Sequence, residues 1–193
     1  MDFETIRSAL PIYDGTRPFQ QLVFQYSLHI KKSPSSPIEH CEYLADPSLD
    51  PRIEFINQLI EDSKTSGDIL VYNITFEKNR IIDLIDAFPI YANELGVIVN
   101  RLKDLMIPFQ KKWYYNPEMK GKHSLKNILP ALFPGDSYDD LEIKDGGTAS
   151  NTFLSIVNGT FEGDIEEKRR QLLDYCEMDT LAMVKILDKL LEI

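Results

Sequence analysis

The sequence predicts an α/β domain, because segments with the character of strands alternate with amphipathic helices. Residues 20–30 are rich in aromatic and β-branched side chains with partial alternation, whereas apolar residues recur at helical spacing after Pro51. A short apolar run at residues 68–72 then precedes a second helical pattern at residues 76–87. This order favours helices packed on a central sheet. We therefore expect a mixed β-sheet flanked by α-helices.

Size and composition are those of one globular unit, so we predict a single domain over residues 1–193. Hydrophobic residues make up 43% and charged residues 27% of the chain. The sequence has no run of 18 apolar residues and no signal-peptide pattern, which predicts a soluble, cytoplasmic protein without a membrane partner. Cys41 and Cys176 lack CxxC spacing, so we interpret both as reduced thiols.

The net charge of −10 counts weakly against a free-standing nucleic-acid binder, which is normally basic. Bound metal ions can neutralise an acidic site, and a basic partner domain can supply affinity. The net charge therefore does not exclude a nucleic-acid substrate.

The chain opens with Asp2-Phe3-Glu4, which places two carboxylates on one face of an extended strand. Most of the residues that should precede them in such a strand are absent, which suggests that the chain was cut from a longer polypeptide. The next predicted elements are a loop at residues 5–19, a strand at 20–30, a turn at 31–37 and an antiparallel strand at 39–44.

Helices and short strands are predicted for the rest of the chain. Asp50 is available as the N-cap of the first helix, with Pro51 at its first position and Gly67 after its end. The later predicted elements are a strand at residues 68–72, a helix at 76–87, a partly helical segment at 91–107 with a short strand near 104–105, an exposed aromatic and basic loop at 108–121, a short helix at 124–132, a Gly- and Asp-rich loop at 134–149 and a long amphipathic helix at 164–192.

Two further acidic residues fall where helices meet the predicted sheet. Glu77 lies in a first helical turn, where the helix dipole stabilises a carboxylate whatever its function. Such strand-to-helix junctions also collect ligands in open α/β sheets. Tyr175 and Asp179 share one face of the last helix. If that face meets Asp2 and Glu4, like-charge repulsion favours a bound cation; the alternative is a solvated Asp beside a half-buried Tyr.

Three stretches together resemble the motifs of the DnaQ-like (DEDD) 3′–5′ exonuclease superfamily, which has a ribonuclease H-like fold. Asp2-Phe3-Glu4 matches the first motif, residues 72–77 (YNITFE) resemble the second, and residues 175–179 (YCEMD) match the third in its Tyr-x-x-x-Asp form. The superfamily usually has Asp where this chain has Glu77, which is one methylene longer.

A closer resemblance is to a bacterial domain family of unassigned function. It rests on the stretches RPFQQLVFQYSLHI, VYNITFEKNRI, KHSLKNILPALFP and LLDYCEMDTLAMV. That family generally forms the C-terminal part of a longer protein with a nuclease-like N-terminal region. The resemblance implies that other domains of a parent protein are partners of this chain.

The exonuclease resemblance implies hydrolysis of phosphodiester bonds by a two-metal-ion mechanism. Asp2, Glu4, Glu77 and Asp179 are then the metal ligands, and such hard oxygen ligands point to two Mg²⁺ or Mn²⁺ ions. Tyr175 takes the superfamily's role of orienting the attacking water or helping to deprotonate it.

Several residues near the motifs are candidate substrate contacts, each with a structural alternative. An aromatic side chain can stack on a terminal base or belong to the core. Asn73 can form a hydrogen bond near the site or cap a turn. Basic residues, Lys126 among them, can face a phosphate or solvent. Residues 111–115 (KKWYY) resemble a single-strand binding surface, or form an exposed loop with Trp113 tucked against the body. The candidate substrate contacts are Phe3, Asn73, Phe76, Lys122 and His123.

The sequence thus predicts a metal-dependent 3′–5′ exonuclease acting on DNA or RNA. The first alternative is a weakly active or inactive nucleic-acid-binding module that assists a neighbouring nuclease domain. The second is endonucleolytic cleavage on the same fold. The sequence lacks the motifs of other enzyme classes. GxSxG, Walker and GxGxxG patterns are missing, and His29, His40 and His123 are not spaced as metal ligands.

Overall fold

A computed structural model describes residues 1–33 and 35–192 and has the predicted α/β class. Its strands are β1 (Asp2–Ile6), β2 (Leu22–Lys31), β3 (Ile38–Leu44), β4 (Ile69–Val71) and β5 (Leu102–Asp104). Its helices are α1 (Arg52–Asp62), α2 (Ile74–Ala87), α3 (Ala92–Arg101), α4 (Ile107–Gln110), α5 (Leu125–Leu132), α6 (Gly146–Val157) and α7 (Ile165–Leu191). Two 3₁₀ turns lie at Pro89–Tyr91 and Pro117–Met119.

The strands form an antiparallel sheet in the order β1-β2-β3 and a parallel pair, β4-β5. Asp2 lies opposite Ser27 and Glu4 opposite Gln25, with an irregularity directly after Glu4. The Met1 amino group donates to the Leu70 carbonyl at 2.8 Å, which places the start of β1 against β4. The two sheets therefore meet where the first acidic motif begins.

One face of the antiparallel sheet packs on α1 through aromatic side chains. Phe3 of β1 meets Phe55 of α1 edge-on, with ring centroids 5.1 Å apart, and the buried Tyr26 of β2 contacts the same ring at 5.3 Å. Edge-to-face pairs of this kind add stability beyond the apolar area they bury. Because strand side chains alternate, the residues on either side of Phe3 must point to the opposite face.

The opposite face of the sheet is covered by α7. Gln25 of β2 donates to the carbonyl of Leu172 at 2.7 Å, and the hydroxyls of Ser27 and Thr180 lie 2.6 Å apart. The side chain of Asp164 caps α7 by accepting the N–H of Glu167 at 3.0 Å. The buried side of α7 consists of Leu172, Tyr175, Cys176, Asp179, Thr180, Ala182, Met183 and Ile186. The predicted long amphipathic helix is confirmed.

Two predicted loops are wrong in part. Residues 108–121 contain most of α4 and a 3₁₀ turn, and they bury Phe109 and Met119. Gly146 and Gly147, which the sequence predicts to lie in a Gly- and Asp-rich loop, form the first turn of α6, where Asp145 accepts the N–H of Thr148 at 2.8 Å. Glycine has low helix propensity, so this cap and the buried Phe153 stabilise a helix that local preference disfavours.

No helix within residues 1–33 and 35–192 combines the length and apolar composition that crossing a bilayer requires.

Candidate metal centre

Three carboxylates from β1 and α7 converge at one point. Asp2, Glu4 and Asp179 each offer an oxygen, and these oxygens lie within 4.8 Å of one another. The strand period places Asp2 and Glu4 on the face covered by α7, and the helical stripe turns Asp179 toward them. Glu4 and Asp179 are buried, and Asp2 is half-buried. The tertiary structure thus joins Asp179 to residues 175 and 177 positions before it in the chain.

The clustered carboxylates repel one another in a desolvated site. Burial, followed by the charge of Asp179, raises the pKa of Glu4 to about 8. Burial and the charges of Asp179, Glu77 and Glu4 raise the pKa of Asp2 well above its usual range. Burial also raises the pKa of Asp179, although the hydrogen bonds that its carboxylate accepts lower the pKa in part. The site therefore favours protons or cations that compensate its negative charge.

Glu77 lies beside this cluster without belonging to the group that meets the 4.8 Å limit. It sits in the first turn of α2, it is 1% exposed, and burial raises its pKa to about 8. Among the described residues, its Oε2 has no hydrogen-bond partner. A buried carboxylate oxygen without a partner is costly, so Glu77 is suited to accept from a ligand or to coordinate a cation.

Asp104, at the end of β5, fixes the turn that carries Glu77 toward the cluster. Its carboxylate accepts the N–H groups of Asn73 at 3.1 Å and Ile74 at 3.2 Å. Asn73 adopts φ 75°, a left-handed conformation that Asn tolerates better than most residues, and α2 begins directly after it. The strand-to-helix turn is therefore held by a carboxylate from the neighbouring strand.

Two tyrosines and one lysine flank the cluster. Tyr138 donates its hydroxyl to Asp179 Oδ1 at 2.6 Å. Burial and the charge of Asp179 raise the pKa of both Tyr138 and Tyr175, so both hydroxyls stay protonated at neutral pH. The Lys126 ammonium lies 5.5 Å from the centroid of each tyrosine ring, and its charge lowers the pKa of Glu4.

Gly146 lets the start of α6 approach Glu4. A Cβ at this position would lie 3.2 Å from Glu4 Oε2, which is closer than ordinary van der Waals contact. The N-terminus of a helix carries partial positive charge, so this approach also favours the Glu4 carboxylate.

The donor set fits a hard divalent cation. Its ligand atoms are carboxylate oxygens, which Mg²⁺ and Mn²⁺ prefer, and the partnerless Oε2 of Glu77 is a further oxygen beside them.

The predicted substrate residues divide into three groups. Phe3 is 2% exposed and packs on Phe55, so its expected contact with a substrate base is wrong; it occupies the face of β1 opposite the acids. Phe76 is half-buried beneath the Arg80 guanidinium, 5.7 Å from the ring centroid. Asn73 makes no side-chain cap bond and is exposed at its turn.

Lys122 and His123 are exposed. The carbonyl of His123 accepts the hydroxyl of Tyr72 at 2.6 Å, which ties this segment to the end of β4. A substrate role for either side chain stays a prediction.

The aromatic and basic stretch at residues 111–115 presents its side chains to solvent. Trp113 is 74% exposed, so the alternative in which it tucks against the body is wrong. Tyr115 is 53% exposed, while Tyr114 packs edge-on against the buried Phe109. Lys111 and Lys112 are exposed on the same stretch.

Tyr138, Asp104 and Gly146 are site residues that sequence reasoning did not identify. Tyr138 and Gly146 lie in or beside a Gly- and Asp-rich segment whose composition predicts only a loop. Asp104 offered a weak signal, since it ends an apolar segment in the manner of a ligand at a strand terminus.

Relatives of this chain include three mycoplasma proteins. "Uncharacterized protein MG366" of Mycoplasma genitalium is 28% identical over 96% of this chain, and its homolog in Mycoplasma pneumoniae is 29% identical over 96%. "Uncharacterized protein UU173" of Ureaplasma parvum is 28% identical over 96%. The chain spans 30% to 31% of the length of these relatives. No solved structure was found to match it.

The expected resemblance to a bacterial domain family of unassigned function is confirmed. Residues 1–124 match the family described as "Domain of unknown function (DUF2779)", and this chain belongs to that family.

Proposed function

We propose that this chain is a metal-dependent 3′–5′ exonuclease domain that hydrolyses phosphodiester bonds of DNA or RNA. The observation that carries the proposal is the convergence of Asp2, Glu4 and Asp179 within 4.8 Å. These three residues come from the first and third stretches that resemble the exonuclease motifs, and Glu77 of the second lies beside them.

A ribonuclease H-like fold is part of the same proposal. It is supported by the antiparallel order β1-β2-β3, by the parallel pair β4-β5 and by the Met1–Leu70 hydrogen bond between them. The described strands form two sheets joined by this hydrogen bond, and α1 and α7 cover the two faces of the antiparallel one. A single continuous mixed sheet is the part of the predicted fold that belongs to the proposal. The acids lie at the β1–α7 interface and at the start of α2.

Asp2, Glu4, Glu77 and Asp179 would hold two Mg²⁺ or Mn²⁺ ions. When bound, such ions polarise the scissile phosphate and lower the pKa of an attacking water. The repulsion among the carboxylates supports this assignment, because a bound cation stabilises the pocket relative to one that is charged and empty.

The remaining polar groups position the reacting partners. Tyr138 orients Asp179 through its 2.6 Å hydrogen bond. Tyr175 lies beside the same carboxylate, and its raised pKa keeps its hydroxyl protonated. A protonated hydroxyl can orient the attacking water by a hydrogen bond but cannot accept its proton, so orientation is the role assigned to Tyr175. The Lys126 ammonium, which lies near both tyrosine rings and Glu4, supplies a positive charge for a substrate phosphate.

A nucleic-acid-binding module that assists a neighbouring nuclease domain is the second candidate. It is favoured by the exposed Trp113 and Tyr115 beside Lys111 and Lys112, because base stacking together with phosphate contacts needs no catalysis.

The test is cleavage of 5′-labelled single-stranded DNA and RNA in the presence of Mn²⁺, with products resolved by length. Asp179→Asn keeps an oxygen for Tyr138 and removes the charge, while Glu166→Gln changes an exposed acid of the same helix and serves as the matched control. We expect a ladder shortening from the 3′ end, abolished by EDTA and by Asp179→Asn. Internal cuts would indicate an endonuclease, and binding without cleavage would indicate the module.

A further inference from the structure

A second cluster of potential metal ligands lies on the same sheet face and is built from imidazoles. His29 of β2 and His40 of β3 are cross-strand partners, and their rings stack with centroids 4.5 Å apart and an interplanar angle of 22°. Glu177 of α7 lies over them, with Oε1 3.9 Å from His40 Nδ1. One ligand atom from each of these three residues lies within 4.8 Å of the other two.

Each imidazole has one nitrogen held by a hydroxyl. His29 Nδ1 lies 2.8 Å from Thr180 Oγ1, and His40 Nε2 lies 2.9 Å from Ser27 Oγ. The two hydroxyls are themselves joined at 2.6 Å. This network fixes the orientation of both rings and leaves His29 Nε2 and His40 Nδ1 for another partner. Metal-bound histidines typically have their second nitrogen held in this way.

The surroundings favour a cation that can arrive from solvent. The side chain of His40 is 24% exposed and that of Glu177 is 45% exposed, so the cluster is open on one side. Glu42 of β3 is exposed beside the cluster, and it interacts electrostatically with His40 and Glu177.

We propose that His29, His40 and Glu177 bind a transition-metal dication of the Zn²⁺ class. Two imidazoles and one carboxylate are a ligand set that Zn²⁺ accepts, with a fourth position left for water or another ligand. The site is separate from the acidic pocket in its residues and in its ligand chemistry, since Mg²⁺ prefers an all-oxygen set. The proposal does not rest on the exonuclease activity.

Sequence spacing gives no indication of this site. His29 and His40 are eleven positions apart on antiparallel strands, and only the register of β2 and β3 places them opposite each other. Glu177 and Asp179 are two positions apart on α7, and each joins a different group of strand residues, so one helix serves two clusters.

The test is calorimetric titration of the 193-residue chain with Zn²⁺ in excess Mg²⁺, which occupies oxygen-only sites. Co²⁺ in place of Zn²⁺ reports the ligand field by its visible absorption. We expect one Zn²⁺ per chain. His40→Gln and Glu177→Gln should each weaken its binding by roughly a hundredfold, and Ser27→Ala, which frees a ring nitrogen, by roughly tenfold.

Matched controls separate ligand loss from general damage. His123→Gln and Glu166→Gln change an exposed histidine and an exposed glutamate and should leave the Zn²⁺ affinity unchanged. Glu177 is partly exposed, so Glu177→Gln should fold normally, as unfolding of the metal-free variants will show. The proposal is overturned if Zn²⁺ does not bind in excess Mg²⁺, or if His40→Gln and Glu177→Gln bind it as tightly as the controls. The residues then form an imidazole stack with a simple ion pair.

Discussion

The acidic pocket and the imidazole cluster share α7 and one face of the same sheet, yet they differ in ligand chemistry and in burial. The pocket gathers carboxylates whose repulsion is intensified by desolvation, with Glu4 and Asp179 buried. The cluster gathers half-buried groups around His29 and His40 whose second nitrogens are held by hydroxyls. The difference teaches that one helix can present two classes of cation site when residues two positions apart meet different strand residues.

The largest expected effect separates the two clusters by activity. Asp2→Asn removes a carboxylate from the pocket and should lower Mg²⁺-dependent nuclease activity by about a thousandfold, or roughly 4 kcal/mol of transition-state stabilisation. The Zn²⁺ affinity of the same variant should be unchanged, because Asp2 contributes nothing to the imidazole cluster. The rate of 3′-end shortening and Zn²⁺ calorimetry, measured on one preparation, test the two expectations. An equal loss of nuclease activity and of Zn²⁺ affinity would show that the pocket and the cluster are not separate sites.

The pH dependence of stability should have opposite signs in the two regions. Glu4 and Glu77 have pKa values raised from about 4.5 to about 8 on folding. Their contribution to the free energy of unfolding is fully present below pH 4.5 and is lost as the pH rises through 8. The metal-free chain should therefore melt at least about 5 °C lower at pH 9 than at pH 5. Mg²⁺ should restore the melting temperature at pH 9, and Glu77→Gln should make its decrease smaller. A melting temperature that does not change between pH 5 and pH 9 would contradict the raised pKa values.

His29 should contribute the reverse slope. Its pKa is lowered to about 4 on folding, so its contribution is present above pH 6.5 and is lost as the pH falls through 4. His29→Gln should flatten the acid side of the melting profile and leave the alkaline side unchanged. Thermal unfolding between pH 4 and 7 measures this, and a steeper acid side in the variant would contradict it.

An intermediate effect is expected from the tyrosine that orients the pocket. Tyr138→Phe removes a hydrogen bond to a charged group, which is worth about 1.5–3 kcal/mol, so the catalytic rate should fall by roughly 10- to 100-fold. KM should change little, because the hydroxyl acts on Asp179. A comparison of kcat and KM with those of Tyr175→Phe shows which hydroxyl faces the water, and a change confined to KM would assign Tyr138 to substrate binding.

The smallest effect should come from the glycine beside Glu4. A Cβ in Gly146→Ala would meet Glu4 Oε2 at 3.2 Å, so the carboxylate must shift by a few tenths of an ångström. We expect activity to fall by roughly tenfold or less, because small displacements of catalytic groups are costly. The α6 helix should gain slightly from alanine, and Zn²⁺ binding should not change. Full activity in the variant would mean that Glu4 has room to move.

Much of the fold was predictable because local patterns carry it. The alternation in β2, the helical spacing after Pro51 and the long stripe of α7 are periodic signals that persist in the tertiary structure. The helix α6 was not predictable, since Gly146 and Gly147 contradict a helical start and the Asp145 cap with the buried Phe153 compensates.

The candidate site divides in the same way. Asp2, Glu4, Glu77 and Asp179 were recognisable from short motifs, because each motif is local in the chain. Phe3 was misassigned although the same strand period that unites Asp2 and Glu4 turns it into the core.

The sequence by itself determined the α/β class, the face of β1 that carries the acids and the helical turn that joins Tyr175 to Asp179. All three depend on periodicity within single elements. Only the tertiary structure decided that Tyr138 bonds to Asp179, that Gly146 admits Glu4 and that His29 meets His40 and Glu177. These contacts depend on strand register and helix docking, which are set by packing over the whole domain.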